Sequence, residues 1–443
     1  MPYTFSETSS VLKGAKLLTH DFTAFNPGYY PYEYTNPKDE LLACREGAWI
    51  GCFLNMMPAI DVWGPDAAKM LNDMCVNRDF AKLKIGASRH ALTCDEEGYI
   101  RQSGIVMRKS EDHYRTYCLM PPIFLYLGSG RYQVEWKQLD EFFYQVDGPK
   151  SLPILEKAFQ VDLHDLKFAQ NKTIVVDGYE VFVHRIGMSG ALAYEMHGCP
   201  ECADLVYDKI LDAGKDMGLK QLDTRQYCSN HTPGGYPNGL IHFWGSPTPI
   251  PGAPDFPVIL TGSAADDEKN YYATPYDVGW GSLVKLDEPG RDYIGREALE
   301  KIAASPKRTC VTLEWNAEDV GAVVAAEISD KDMDLQERIL GFNEQLPEFT
   351  RQHADYVYKG DAPVGVATGR VIDYYSHSFI SLAFINEKDA VIGDEVEVLW
   401  GKPGTRQMRI RAKICPVPYW NGEYRNETCD VCDLYPERPY FSK

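Results

Sequence analysis

The feature that most constrains the fold is an internal echo. AIDVWGPDAAKMLNDM (59–74) and YQVDGPKSLPILEKAF (144–159) share one plan: an alternating strand, a Gly-Pro turn, then apolar residues at helical spacing. A period of two suits a half-buried strand and a period of 3.6 a helix, so each segment predicts a strand–turn–helix unit. Proline after glycine suits a helix start, where its fixed φ and missing N–H cost little. A solenoid needs more copies than two, so the echo predicts two related α+β units.

Strand-like stretches, YIRQSGIVMRK and HYRTYCLM, run between the units, and TIVVDGYEVFVHRIGMSGALAYEMHG follows the second. Residues 232–265 are rich in Pro, Gly and aromatics and too long for an ordinary connection, which predicts a lid or binding loop. From Arg308 the texture changes. CVTLEWN, APVGVATGRVI, FISLAFI and EVEVLWG read as strands parted by turns, interrupted by a helical SDKDMDLQERILGFNEQL (329–346). The expected division is an α+β region over 1–305 and an all-β domain over 306–443.

The 443 residues carry a formal net charge of −19. A polyanion is poorly matched to nucleic acid or an anionic membrane. No apolar run reaches the ~18 residues of a membrane helix. MPYTFSETSS lacks a signal-peptide pattern, so a cytoplasmic location is expected, with the 12 cysteines as reduced thiols. Two pairs have CxxC spacing, Cys199 with Cys202 and Cys429 with Cys432. They read either as one four-cysteine zinc site or as coincidence. The ten histidines show no HExxH spacing, and no catalytic metal is expected.

TPYDVGWGSLVKLDEPGRDYIGREAL (274–299) resembles the signature of the glycine-cleavage T-protein superfamily. RIGMSGALAYE (185–195) resembles that family's Arg-x-Gly…Glu strand, and PVGVATGRVID the start of its C-terminal barrel. TRQYCSN, CVTLEWN, EVLWG and AKICPVPY are similar to segments of its tetrahydrofolate-dependent aryl O-demethylases, which act on vanillate and syringate. The resemblance implies two interleaved α+β subdomains plus a C-terminal β-barrel or jelly-roll domain, with tetrahydrofolate bound centrally. It implies transfer of a methyl group from an aryl methyl ether to N5 of tetrahydrofolate. The alternative is a sister reaction that opens methylenedioxyphenyl rings, as in sesamin catabolism. Two further readings are weaker. The family's aminomethyltransferases place an Asp in the run matching GYIRQSG, where this chain has Arg101, Gln102 and Ser103. Folate-binding accessory proteins carry a Lys-Gly-Cys-x-x-Gly-Gln motif that this chain lacks.

By the same resemblance, Glu195 reads the amino-pyrimidine edge of the pterin, a bidentate donor suited to a carboxylate. Tyr236 packs its ring on the pterin and Tyr117 presents backbone to it. Tyr227 faces the reacting ether, where a phenol of pKa ~10 can hydrogen-bond or protonate the leaving aryloxide. On spacing alone, each has a plain structural alternative: a solvated strand-end acid, loop tyrosines, a hydroxyl capping backbone. Tyr30 matches a pocket tyrosine of the demethylases. Phe53, Met56, Met57, Leu119 and Met120 stand at or beside positions where the vanillate enzymes hold polar or charged groups. A carboxylate facing Met and Leu would be desolvated at several kcal/mol, so a neutral methoxylated aromatic is the expected substrate. The five residues otherwise read as ordinary core. His231 reads as a loop histidine or as support for Tyr227.

Overall fold

Both echoed segments fold as their pattern predicts. In the computed structural model, strand Ile60–Trp63 leads to helix Ala67–Met74, and strand Phe142–Asp147 to helix Ser151–Phe159. The glycines between them, Gly64 and Gly148, share a φ of +125°. A Cβ would stand 2.7 Å from the Gln133 carbonyl at the first and 2.6 Å from the Gly47 carbonyl at the second. Glycine is therefore required at both turns. Each helix buries its apolar stripe: Met70, Leu71 and Met74 in one, Leu152, Leu155 and Phe159 in the other. The structure describes residues 21–25, 28–34, 36–51, 59–239, 241–250, 259–288, 291–333, 337–340 and 351–440.

Each unit belongs to its own sheet. The first sheet runs Ser88–Cys94, Ile100–Arg108, His113–Tyr117, Ile60–Trp63, Glu135–Gln138, all antiparallel. The second runs Asn171–Val176, Tyr179–His184, Ala193–Gly198, Phe142–Asp147, Ala48–Gly51, Leu219–Leu222, with its last pair parallel. Ala48–Gly51 precedes the first unit in sequence yet pairs within the second sheet, so the two subdomains interleave. Six strands, from Arg308–Trp315 to Met408–Cys415, close into a barrel. Leu313, Val357, Val398, Trp400, Ile410 and Ile414 fill its core.

The helix beside the barrel is Ala317–Ser329, earlier than the sequence pattern suggested. Asn316 caps it by accepting from the Asp319 N–H at 3.0 Å, and Glu318 and Asp319 complement the positive end. The Ala- and Val-rich run had been hidden by following directly on the strand CVTLEW. At Asp330 the backbone turns extended and the helix ends. Within 329–346, residues 334–336 and 341–346 lie outside the described residues.

The 274–299 run acts as a strap from the first sheet to the barrel. Ile100 N–H donates to the Ala273 carbonyl and Lys285 N–H to the Val76 carbonyl, each at 2.9 Å. Arg291 donates to the carbonyls of Asn72 and Cys75 at 3.1 and 2.8 Å. Asp277 pairs at 3.0 Å with Arg308, the first residue of the barrel. After the barrel, the chain returns to the second sheet. Arg185 donates to the carbonyls of Asn426 and Cys429 at 3.2 and 2.8 Å, and His164 Nε2 meets the Tyr435 carbonyl at 2.8 Å. Among the described residues, no helix is long and apolar enough to cross a membrane.

Ile100–Arg108 and His113–Tyr117 pass so closely at Gly104 that an added Cβ would stand 2.1 Å from the Tyr117 carbonyl. Backbone cannot swing aside as a side chain can. Gly104→Ala should therefore lower the unfolding free energy by about 1–3 kcal/mol, read as a shift of the urea midpoint. A shift below about 0.5 kcal/mol would show that the two strands separate at little cost.

Candidate functional site

Glu195 sits on the central strand Ala193–Gly198 and is only 6% exposed, so it is not a solvated strand-end acid. Sheet register places His184 directly opposite it on one side and Gln145 on the other. His197 lies two residues along and shares its face. One carboxylate oxygen is 3.7 Å from His184 Nδ1 and 3.7 Å from His197 Nε2. Burial alone would raise the Glu195 pKa. The two histidines outweigh that and hold it below the usual carboxylate range. Glu195 is thus an ionised, acceptor-only group in a buried setting.

The charges continue away from it. His197 Nδ1 lies 3.4 Å from Glu141 and 3.2 Å from the Tyr117 hydroxyl, which itself donates to Glu141 at 2.8 Å. Burial pushes His197 towards neutrality, but Glu141 and Glu195 on either side win and raise its pKa. Glu141 also accepts from Arg115 at 3.0 Å, and Arg115 is clamped by Asp61 through two bonds of 2.7 and 3.1 Å. At the other end, burial outweighs the Glu195 charge and keeps His184 neutral. Its Nε2 meets the Ser88 hydroxyl at 2.7 Å. The network therefore runs from the first sheet through Glu195 and back to the first sheet.

Near Glu195 lie half-exposed side chains that are nonetheless desolvated. His90, Tyr236 and Cys118 keep part of their surface open. Yet burial pushes His90 down to about 4, Cys118 up to about 12 and Tyr236 upward. The Glu195 charge raises Cys118, Tyr236 and Tyr227 further. Trp280 of the strap stands edge-on to His90 with ring centroids 4.5 Å apart, and Tyr236 is 5.8 Å from Trp280. Tyr236 follows Gly235, whose φ is +69°, in a turn held from two directions. Thr232 donates to the barrel carbonyl of Gly369 at 2.6 Å, and Trp420 N–H donates to Pro233 O at 2.9 Å.

Tyr227 ends the short helix Thr224–Tyr227, capped by Asp223 accepting from Gln226 N–H. It is buried, its hydroxyl donates to the Met188 thioether, and burial raises its pKa well above the ordinary phenol value. His231 packs edge-on to the Tyr227 ring at 5.4 Å and is buried, with its pKa pushed down to about 4. It supports Tyr227 as a neutral ring.

The other expected site residues scatter. Tyr117 directs its side chain into the charge network, and its backbone abuts Gly104. Leu119 packs in the core of the first subdomain with Met70, Met74 and Ile123, and Met120 lies at that core's edge. The Met120 carbonyl accepts from Gln102 at 2.8 Å, and Arg101 pairs with Glu96 at 3.3 Å, so the GYIRQSG run is occupied internally. Phe53, Met56 and Met57 lie outside the described residues, as does the side chain of Tyr30. His184, His197, Glu141, His90 and Trp280 were not singled out from sequence. A signal existed for one of them: Glu-x-His on a strand puts both side chains on one face. The thiols of the two CxxC pairs do not converge. Arg185 contacts the Cys429 sulfur at 3.1 Å, and among the described residues the one ligand-sized cluster is Glu156, Asp162 and His164.

Comparison with known proteins adds the following. Residues 12–229 match the family model described as the GCVT N-terminal domain. A sesamin methylene transferase from Sinomonas sp. is 36% identical over 432 residues, covering 92% of this chain and 94% of the other. A syringate O-demethylase from Sphingobium sp. is 28% identical over 431 residues, covering 88% and 89%. The glycine cleavage system aminomethyltransferase T from Bartonella henselae superposes with a TM-score of 0.66 at 18% identity, covering 92% of this chain and 95% of that one.

The network has a pH signature. The folded pKa of His197 lies above its ordinary 6.5, so its paired charge stabilises fully below that value. The contribution fades as pH rises through the folded pKa. The stability advantage of wild type over His197→Gln, measured by urea unfolding, should be largest near pH ~6 and shrink towards pH ~9. An advantage that stays flat or grows over that range would show His197 to be neutral when folded.

Proposed function

The chain belongs to the glycine-cleavage T-protein family, and from that premise we propose that it transfers a one-carbon unit from a neutral aromatic ether to tetrahydrofolate. The observation that carries the reading is Glu195 held ionised by two histidines, together with the clustered rings of His90, Tyr236 and Trp280. A pterin presents a planar ring and an edge of N–H donors, and those residues offer what it needs. Glu195 would accept from the donor edge, and Tyr236 would offer its ring face. Tetrahydrofolate supplies the nucleophilic nitrogen.

Tyr227 would act at the other end of the transferred carbon. Its phenol, kept protonated by burial, donates to the ether oxygen as negative charge develops there. The surrounding apolar side chains exclude water and strengthen that bond. The neutral-substrate reading draws support from the cations. Arg115 is a basic group of the first sheet, and Asp61 and Glu141 already claim its guanidinium. His113 likewise pairs with Asp61 at 3.2 Å. Neither offers charge to a substrate carboxylate.

A methylenedioxy ring is the favoured donor, since the relative at 36% identity is named for methylene transfer. Atoms balance without an oxidant: two C–O bonds break, two C–N bonds form, and two N–H protons end on the catechol oxygens. Methyl transfer from a methoxy group is the second reading, favoured by the syringate O-demethylase match. The product separates them. Incubation with tetrahydrofolate and a methylenedioxy-aromatic should yield 5,10-methylene-tetrahydrofolate by mass. 5-Methyl-tetrahydrofolate, formed only from methoxy-aromatics, would select the second reading, and no folate product would reject both. Tyr227→Phe should lower kcat on the order of 10²–10⁴-fold with little change in folate binding. Activity within a few-fold of wild type would leave Tyr227 a packing role.

A further inference from the structure

We propose that Cys199 and Cys202 form an oxidisable dithiol that closes to a reversible disulfide by exchange with a small-molecule disulfide. Cys199 stands where strand Ala193–Gly198 ends, and Pro200–Cys202 makes a tight turn into the 12-residue helix Ala203–Gly214. The turn is closed by Cys202 N–H donating to the Cys199 carbonyl at 3.2 Å. This geometry brings the side chains together. The Cys199 thiol donates to the Cys202 sulfur at 3.6 Å, and the Cys202 thiol donates to the Cys199 carbonyl at 3.3 Å. A disulfide bond is ~2.05 Å, so closure needs movement of ~1.5 Å, within reach of side-chain rotation on a fixed backbone.

The two sulfurs differ in access. Cys199 is partly exposed and Cys202 is fully buried. That asymmetry assigns their roles: Cys199 meets the reagent and Cys202 resolves. A metal site fits less well. Among the described residues, no third Cys, His, Asp or Glu joins the pair in a ligand-sized cluster. Cys429, the sulfur nearest in sequence logic, is engaged by Arg185. The one-carbon transfer proposed above uses neither thiol, so this inference stands apart from it.

The exchange balances as follows. The Cys199 thiolate attacks one sulfur of the small disulfide and expels a thiolate. The Cys202 thiolate then attacks the Cys199 sulfur of the mixed disulfide and expels the second thiolate. The protein loses two protons and two electrons, and the reagent takes them up and leaves as two thiols.

The test uses the full-length protein, reduced and then treated with oxidised glutathione until the exposed Cys432 is fully modified. Free thiols are alkylated and the peptides weighed. The peptide spanning Cys199–Cys202 should escape alkylation, weigh two hydrogens less than its reduced form, and regain both thiols with dithiothreitol. Cys199→Ser should leave Cys202 unlinked. Two alkylated thiols in the wild-type peptide, a lasting glutathione adduct on Cys199, or a link from either residue to Cys429 or Cys432 would each overturn the proposal.

Discussion

A carboxylate removed from water costs several kcal/mol unless charge and donors surround it. Glu195 is the point in this molecule where that requirement is met most elaborately. His184 and His197 flank it, Glu141 holds His197, Arg115 holds Glu141, and Asp61 holds Arg115. Each charged member compensates its neighbour. The members come from both sheets, and the network therefore also fixes how the two subdomains face each other.

Other elements gather aromatic side chains in the same subdomains. The strap over 274–299 brings Trp280 beside His90 and Tyr236. The barrel and the returning C-terminal segment pin the turn that carries Tyr236. Tyr227 projects from a short helix backed by the neutral ring of His231. Arg115 and His113 of the first sheet are held by the acids Asp61 and Glu141.

Much of this fold was legible in the sequence because it rests on local rules. The Gly-Pro turns of the echo signalled a helix start, and a helix follows both. Barrel strands such as Ala362–Asp373 and Ser378–Asn386 were legible as strand-like runs parted by turns. The helix Ala317–Ser329 was not, because strand and helix abut with only the Asn316 cap between them. At the site, Glu195, Tyr227 and the neighbouring His231 were named from the sequence, while the groups that control Glu195 were not. His184 reaches Glu195, and Glu141 reaches His197, only through the register of neighbouring strands. Such contacts leave no periodicity to read. Leu119 shows the converse: an apolar residue beside a matched motif, which packing places in the core.

The central claim is that Glu195, held ionised by its two histidines, is the anchor for a folate. Titration calorimetry with tetrahydrofolate tests it most directly, comparing wild type with Glu195→Gln at equal folding stability. The account predicts a saturable binding heat for wild type and a loss of affinity on the order of 10-fold or more for the variant, as expected for a charge-assisted bidentate contact. Equal affinities, or no binding heat to wild type, would contradict it.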